Sequence, residues 1–452
     1  MSHSLDWSHA FAGRLAHNRP DQHRAAASLA PRLRQEMNAG LLPCLTLPYA
    51  AALEQELSAL EPWLAPFKHM LLLGIGGSAL GARALQKAFA AGQDGPNHQG
   101  KSLWIMDNVC ASTLESWLKA LDPAQTVVLC ISKSGGTIET LAQYFLVRQW
   151  LIAALPAAWK DHLLLITDAH KGFLREEAQQ HGIRSLNVPD NLGGRYSALS
   201  AVGLAPAAFL GINWRGLLRG AAAVSQPLVQ ALGSDAAMQA ALQKHAALAL
   251  ATWAHSLETQ GYSQLIFFCY MPQWATFGPW FAQLWAESLG KAGKGLLPVP
   301  AVGVTDQHSV NQMFLDGAKN KACLFVSCAA MPQGRSFPTD MPEQWAWLRG
   351  KHFGDLLAAE ALGTRMALCA SAMPLVHIQP QTATEEAAGA LMMLLEASTL
   401  LTGWLLGINP IDQPAVELGK RLANARLGAQ GYAQEQQDLD QYLAITPQQQ
   451  YF

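Results

Sequence analysis

Short apolar runs alternate with helical stretches twice along this chain of 452 residues, and this alternation constrains the fold more than any other feature. In the first half, the apolar runs have the length of strands and end at turns rich in glycine or polar residues. They occupy residues 70–75, 103–106, 126–131, 163–167 and 184–188. Strands separated by helices form βαβ units, in which parallel strands are buried between helices on both faces. The pattern predicts an α/β domain with a doubly wound, mainly parallel sheet.

The alternation resumes after a helix-rich stretch at residues 197–260. Further apolar runs at residues 264–270, 298–304, 322–327 and 375–378 predict a second α/β unit of similar design. Helical patterns dominate the two ends of the chain, although the sequence shows no sharp boundary between 200 and 260. The expected division is a helical segment at 1–66 that packs on the second domain, a first domain at 67–205, a second domain at 206–408, and a C-terminal helical arm at 409–452.

Composition removes several classes of function. The 31 Lys and Arg residues nearly balance the 33 Asp and Glu residues, so no basic surface for nucleic acid or anionic lipid is indicated. The seven cysteines lack the CxxC spacing of a zinc or redox site. The first residues also lack the basic start and unbroken apolar stretch of a secretory signal. We therefore expect a cytoplasmic protein with reduced thiols and no metal.

One stretch resembles a membrane span. Residues 390–408 are almost all apolar, close to the roughly 20 residues that cross a bilayer. Glu396 lies within the stretch, and a charged side chain at mid-membrane costs a few kcal/mol or more. The stretch is therefore predicted to be a core helix, and no membrane partner is expected.

A glycine-rich turn follows the first apolar run. Gly74, Gly76 and Gly77 allow the backbone to approach a ligand closely, and Ser78 lies where a helix start exposes unpaired N–H groups. A strand-to-helix turn also needs glycine for purely steric reasons. This segment alone leaves ligand binding and simple turn geometry open.

A second turn, after the run at 126–131, carries more donors. Ser132, Lys133, Ser134 and Thr137 precede a helix that is predicted to begin near residue 138. Hydroxyls, an ammonium group and a helix N-terminus together suit a phosphate dianion. An ordinary N-cap would need only one hydroxyl, so phosphate binding is the preferred interpretation. The segment lacks the P-loop pattern of nucleotide-binding proteins.

Charged side chains elsewhere are candidates for proton chemistry. Arg195 follows two glycines, and its fixed charge suits a developing oxyanion, although a surface arginine on a turn fits the same pattern. Gln283 and Glu287 lie one helical turn apart among aromatic residues, where Glu287 is a candidate general base. Most helical glutamates are simply solvated, so that alternative stays open.

Two later segments have the same ambiguity. His308 follows an apolar run and can exchange a proton near neutral pH, although an isolated histidine is more often structural. Gln413 and Lys420 lie two turns apart at the start of a predicted helix. Neither segment specifies a reaction without the others.

Taken together, these segments resemble the glucose-6-phosphate isomerase family, especially its bacterial-length members. The motifs GIGGS, SKSGGTIET, GGRYS, QLWAESLGKAGKG, DQHSVNQ and NPIDQPAVELGK occur in the family's order between Gly74 and Lys420. The resemblance implies two sugar-isomerase (SIS) domains, each with a doubly wound sheet, and an active site between them at the subunit boundary of a homodimer. It implies small-molecule sugar phosphates as substrates and no cofactor.

The resemblance also implies a role for each matched residue. The phosphate would be bound at the turn of Gly77 and Ser78 and by Ser132, Ser134 and Thr137, with Lys133 in the same loop. The implied proton chemistry uses Glu287 as the base at C2 and C1, Arg195 to stabilise the cis-enediolate, His308 (from the partner subunit) and Lys420 for ring opening, and Gln283 and Gln413 to position hydroxyls.

The match has small departures. Ile411 and Ala415 stand where the family usually has Phe and Gly, and Gly136 stands where Thr is common. None of them replaces a group that transfers a proton. Two alternatives remain open at this point: a non-catalytic sugar-phosphate-binding protein of the same fold, and an isomerase that also accepts mannose 6-phosphate.

Overall fold

A computed structural model describes residues 3–445 and 447–450. The strands in this part of the chain are β1 Ser4–His9, β2 His69–Leu73, β3 Ser102–Met106, β4 Thr126–Ile131, β5 Leu163–Thr167, β6 Arg184–Asn187, β7 Gln264–Cys269, β8 Leu297–Val302, β9 Lys321–Val326 and β10 Leu375–Gln379. The helices are α1 Gln22–Asn38, α2 Ala51–Leu64, α3 Leu80–Phe89, α4 Ala111–Ala120, α5 Ile138–Ala154, α6 Phe173–His181, α7 Ala201–Phe209, α8 Trp214–Gln230, α9 Asp235–Gln243, α10 Ala246–Thr259, α11 Phe277–Leu289, α12 Asn311–Asp316, α13 Phe353–Ala370, α14 Glu385–Leu405, α15 Glu417–Arg426 and α16 Ala433–Leu443.

The first sheet is wholly parallel, as predicted, with the strand order β3-β2-β4-β5-β6. Its strands lie within about two residues of the predicted apolar runs. Every residue of β4 and β5 is buried, which explains why these runs are continuously apolar rather than alternating. The strand order reverses at β2, so the crevice between β2 and β4 is the switch point at which doubly wound sheets bind ligands.

The second sheet has the order β1-β10-β9-β7-β8 and confirms the second α/β unit. Its strands are parallel except β1, which pairs antiparallel with β10. Residues 4–9 therefore form a strand, and the prediction of helix at this point is wrong. Leu5 and Trp7 alternate with exposed polar residues, as expected for an edge strand. Residues 4–9 become extended because they pair with the free edge of β10, which is distant in sequence.

Helix α14 corresponds to the predicted core helix. It is long and apolar enough to cross a membrane, but 94% of its most apolar window is buried inside the protein. It packs mainly against α8, α10 and α11. Glu396 is fully buried there, and burial raises the pKa of its carboxyl group well above the usual value. The uncharged acid is therefore the favoured form inside this core.

The chain divides into two compact units, one ending at Pro410 and one beginning at Ile411. The first unit contains both sheets. The second contains α15 and α16, which are joined by an ion pair between Arg421 and Glu435 and by a 3.1 Å hydrogen bond from Asn424 to Tyr432. A division of the first unit near residues 205 and 206 stays a prediction.

Candidate active site

The glycine-rich turn after β2 lies against two other motifs of the sequence. Gly76 has a φ of 56°, a backbone conformation that residues with a side chain rarely adopt. A Cβ atom on Gly76 would lie 2.8 Å from Nε2 of Gln283, and one on Gly77 would lie 2.3 Å from the carbonyl of Gly194. Close main-chain approach therefore requires glycine here. The motifs that contain Gly77, Gly194 and Gln283 converge at the carboxyl end of the first sheet.

This contact gives a matched test. We expect Gly77→Ala to lower the free energy of unfolding by about 2 kcal/mol or more, because the new methyl group overlaps backbone atoms that have no rotamer to change. Gly194→Ala is the control: apart from its chain neighbours, no atom of the described residues lies within 4 Å of its Cβ position, and a change within about 0.5 kcal/mol is expected. Urea denaturation of both variants measures the difference. Equal losses would contradict the close approach of the two loops.

The loop after β4 presents hydroxyl and amide groups at the start of α5. Ser132 directly follows the strand, and its Oγ lies 2.9 Å from Oγ1 of Thr137. The amide of Gly136 donates to Oγ of Ser134 at 3.3 Å. Thr137 occupies the N-cap position, yet its side chain accepts no hydrogen bond from the first turn of α5. A simple N-cap therefore does not account for these hydroxyls, and a helix N-terminus with clustered donors suits an anion.

Lys133 is anchored beside this loop. Its ammonium group donates to the backbone carbonyl of Asp190. Burial lowers the pKa of Lys133, while the nearby carboxylates of Asp168 and Asp190 act in the opposite direction. The bond to Asp190 braces the loop against the segment that leads to Arg195.

Arg195 and Glu287 form the charged centre of the site. Arg195 is only 3% exposed, which contradicts a surface position on a turn. Its Nη1 lies 3.6 Å from Oε2 of Glu287. On helix α11, the amide of Gln283 donates to Oε1 of Glu287 at 2.9 Å. The carboxylate, with its side chain 28% exposed, is thus held between an amide and a guanidinium group while still reachable from solvent.

Two positioning residues were not singled out from the sequence. Ser288 accepts a 2.7 Å hydrogen bond from Nε of Arg195 and lies 3.0 Å from the hydroxyl of Tyr196, with both residues buried. Nη2 of Arg195 donates to the carbonyl of Pro410 at 2.6 Å. These bonds fix the plane of the guanidinium group. In the sequence, Tyr196 directly follows Arg195 and Ser288 directly follows Glu287. This adjacency to candidate site residues is the only sequence feature that indicates a role for them.

His308 lies on a different element from the residues of this charged centre. It is exposed at the end of a short turn after β8, the strand that packs against α11. Asp306 fixes the turn by accepting from the amide of Val302 at 2.7 Å and from Ser309 at 2.8 Å. Within residues 3–445 and 447–450, no hydrogen bond or ion pair joins His308 to Glu287 or Arg195.

The remaining two candidates belong to the second compact unit. Gln413 precedes a single turn of 3₁₀ helix at Pro414–Val416. Lys420 lies on α15 and forms a 2.8 Å ion pair with Glu417. In the part of the chain that the structure describes, no group of three or more His, Cys, Asp or Glu side chains is arranged to hold a metal ion.

Comparison with known proteins gives consistent matches. A profile of the family described as phosphoglucose isomerase matches residues 64–340. The glucose-6-phosphate isomerase of Rubrobacter xylanophilus is 37% identical over 367 residues, covering 80% of this chain and 82% of that protein. The enzyme of the same name from Carboxydothermus hydrogenoformans is 33% identical over 425 residues, covering 90% and 89%.

Solved structures agree with the fold. A hypothetical protein from Thermus thermophilus superposes with a TM-score of 0.83 at 31% identity, covering 95% of this chain and all of that one. A glucose-6-phosphate isomerase from Chlamydia trachomatis superposes with a TM-score of 0.70 at 21% identity, covering 94% and 81%. At 21% identity, the similarity to the Chlamydia trachomatis enzyme supports the fold alone.

Proposed function

This chain belongs to the phosphoglucose isomerase family, and we propose how its site isomerises glucose 6-phosphate and fructose 6-phosphate. One observation carries the proposal: the Glu287 carboxylate lies between the amide of Gln283 and the guanidinium group of Arg195. A base and a fixed cation side by side are what an enediolate mechanism needs. The proton moves within the substrate, so the reaction requires no redox cofactor, and Arg195 supplies the positive charge that the enediolate needs.

The proposed phosphate site lies at the carboxyl ends of the neighbouring parallel strands β2 and β4. Ser78 lies on the first loop, and Ser132, Ser134 and Thr137 present hydroxyls on the second, at the N-terminus of the 17-residue helix α5. The partial positive charge of that helix end and the ammonium group of Lys133 complement the dianion. Binding energy from this remote group holds the reacting carbons against Glu287.

The chemical step is a proton shuttle between two carbons. Once the sugar ring is open, Glu287 removes the proton from C2 of the aldose, and the C–H electron pair forms the C=C bond of the enediolate. The carbonyl electrons move onto O1, where Arg195 stabilises the negative charge. A proton then passes from the hydroxyl on C2 to O1, which leaves the negative charge on O2. The O2 electrons form the C2 carbonyl while the C=C electron pair takes the proton from the protonated Glu287 at C1, which gives the ketose. Gln283 and Gln413 orient the substrate hydroxyls.

Ring opening precedes this step and needs an acid and a base on the ring and anomeric oxygens. His308 and Lys420 are proposed for these transfers, with His308 supplied by the partner subunit of a homodimer. The exposed position of His308, without a bond to the charged centre of its own chain, supports this arrangement. We further propose that the chain has two SIS-type domains, at 67–205 and 206–408. The protein is proposed to be cytoplasmic.

A coupled assay tests the function. Purified protein is supplied with fructose 6-phosphate, and any glucose 6-phosphate is oxidised by its dehydrogenase with formation of reduced nicotinamide cofactor. Turnover without added metal is expected. Binding of fructose 6-phosphate without turnover would contradict the assignment and indicate a non-catalytic sugar-phosphate sensor. Parallel turnover of mannose 6-phosphate would extend the assignment to a dual isomerase.

A further inference from the structure

The second sheet repeats the topology of the first. In each sheet the first parallel strand lies second from one edge, the next strand forms that edge, and the following two lie on the other side. Strands β2, β3, β4 and β5 thus correspond to β7, β8, β9 and β10. Ser132 directly follows β4, and its amide donates to the carbonyl of Ile166 at 3.1 Å. Ser327 directly follows β9, and its amide donates to the carbonyl of Ile378 at 3.2 Å. Ser327 thus has the position in the second sheet that Ser132 has in the first.

A cavity of about 170 Å³ opens beside Ser327. Its polar lining comes from Ser327, Arg365, His377 and Gln379, and its apolar wall includes Phe325 and Leu362. An apolar cavity of roughly 150 Å³ in another protein is large enough to bind benzene. The space is therefore sufficient for a compact molecule of a few heavy atoms.

Arg365 brings a positive charge to this cavity without a compensating ion pair. Among the described residues, its only side-chain hydrogen bond is to Nδ1 of His377, and no carboxylate oxygen lies within ion-pair distance of it. Asp6 stands opposite His377 in the strand register and accepts from the amide and hydroxyl of Ser8, at 2.9 and 2.6 Å. These bonds lower the pKa of Asp6, with smaller contributions from His377 and Arg365, so the Asp6 carboxylate attracts Arg365 without forming an ion pair with it. A half-buried guanidinium group that donates only to a neutral ring favours an anionic partner.

The tautomer of His377 directs a second donor into the cavity. Because Arg365 can only donate, Nδ1 of His377 accepts, and the ring proton lies on Nε2. Burial, and then the charge of Arg365, lower the pKa of His377 to about 4 against the opposite effect of Asp6, which keeps the ring neutral. Nε2–H therefore donates to Oγ of Ser327 at 2.8 Å. With its oxygen accepting from His377, the Ser327 hydroxyl retains its own O–H to donate.

We propose that this cavity is a second anion site, which binds a compact oxyanion such as phosphate between the guanidinium group of Arg365 and the hydroxyl of Ser327. The neutral His377 holds both donors in place without competing for the anion. The comparison of Ser327 with Ser132 rests on the proposed phosphate loop of the active site. The charge and geometry of the cavity do not depend on that assignment.

Equilibrium dialysis with radiolabelled inorganic phosphate tests the site, with and without saturating fructose 6-phosphate to occupy the active site. In the presence of the sugar phosphate, the wild-type chain is expected to retain one saturable phosphate, and Arg365→Met is expected to weaken its binding at least about tenfold. Arg335→Met is the matched control, since Arg335 is an exposed arginine of the same half of the chain, and it should bind like the wild type. Ser327→Ala should weaken binding several-fold and serves if Arg365→Met fails to fold.

The two possible failures are distinguishable. Loss of all saturable phosphate when the sugar phosphate is added, or residual binding that is unchanged in both Arg365→Met and Ser327→Ala, would overturn the second site. If fructose 6-phosphate displaced no phosphate, the proposed active-site loop would be wrong. The Arg365→Met comparison would still decide the second site in that case.

Discussion

Replacing Glu287 by Gln is expected to lower kcat for fructose 6-phosphate at least about 10²-fold, while KM changes no more than a few-fold. The amide has nearly the same shape and can still accept the hydrogen bond that Gln283 donates to Oε1. It cannot accept a proton from carbon. The loss should therefore appear in the chemical step rather than in substrate binding. Steady-state kinetics in the coupled assay measure both constants.

A second readout separates this role from a structural one. In D₂O, the wild-type enzyme should incorporate deuterium at C2 of glucose 6-phosphate, because a carboxylate that carries the substrate proton exchanges it with solvent. Glu287→Gln should lose this exchange in parallel with kcat. Glu115→Gln is a suitable control, since Glu115 lies on α4 with its side chain 70% exposed and forms a 3.6 Å ion pair with Lys119. Unchanged exchange in Glu287→Gln would remove the residue from its proposed role.

The sequence predicted the fold well because its signals are local and strong. Strands such as β4 and β5 are buried on both faces, so each reads as a continuous apolar run with a clear turn at its end. Strand β1 gave no such signal, since its pairing partner β10 lies more than 360 residues away along the chain. Whether a segment becomes an edge strand depends on a free sheet edge elsewhere in the fold, and the local sequence pattern does not indicate that edge.

The candidate site was predictable only in part for a related reason. Each motif alone fitted an ordinary turn, cap or solvated helix, and only their ordered combination indicated a common site. The structure brings together the motifs of Gly77, Gly194, Gln283 and Glu287, which are separated by up to about 210 residues. The supporting bonds of Ser288 and Tyr196 could not be read from sequence, because a buried serine or tyrosine has no pattern that distinguishes positioning from packing.

Pairing two inactive chains should restore activity if His308 serves the active site of the partner subunit. Homodimers of Glu287→Gln and of His308→Gln should each retain no more than about 1% of wild-type turnover, since each lacks an acid or base in every site. In the hybrid dimer, one site combines the intact Glu287 of one chain with the intact His308 of the other. Hybrids purified through two different affinity tags should therefore recover roughly half of the wild-type activity per dimer.

A reciprocal hybrid dimer controls for defects in folding or assembly. When one chain carries both substitutions and the other is wild type, a partner-supplied His308 leaves no complete site, and the dimer should be inactive. If His308 served its own chain, the wild-type chain would keep a complete site, so this hybrid would be half active and the first would be inactive. The two arrangements thus predict opposite activities for dimers of identical total composition. Because His308 is exposed and bonded to neither Glu287 nor Arg195 of its own chain, we expect the result that requires two subunits for each active site.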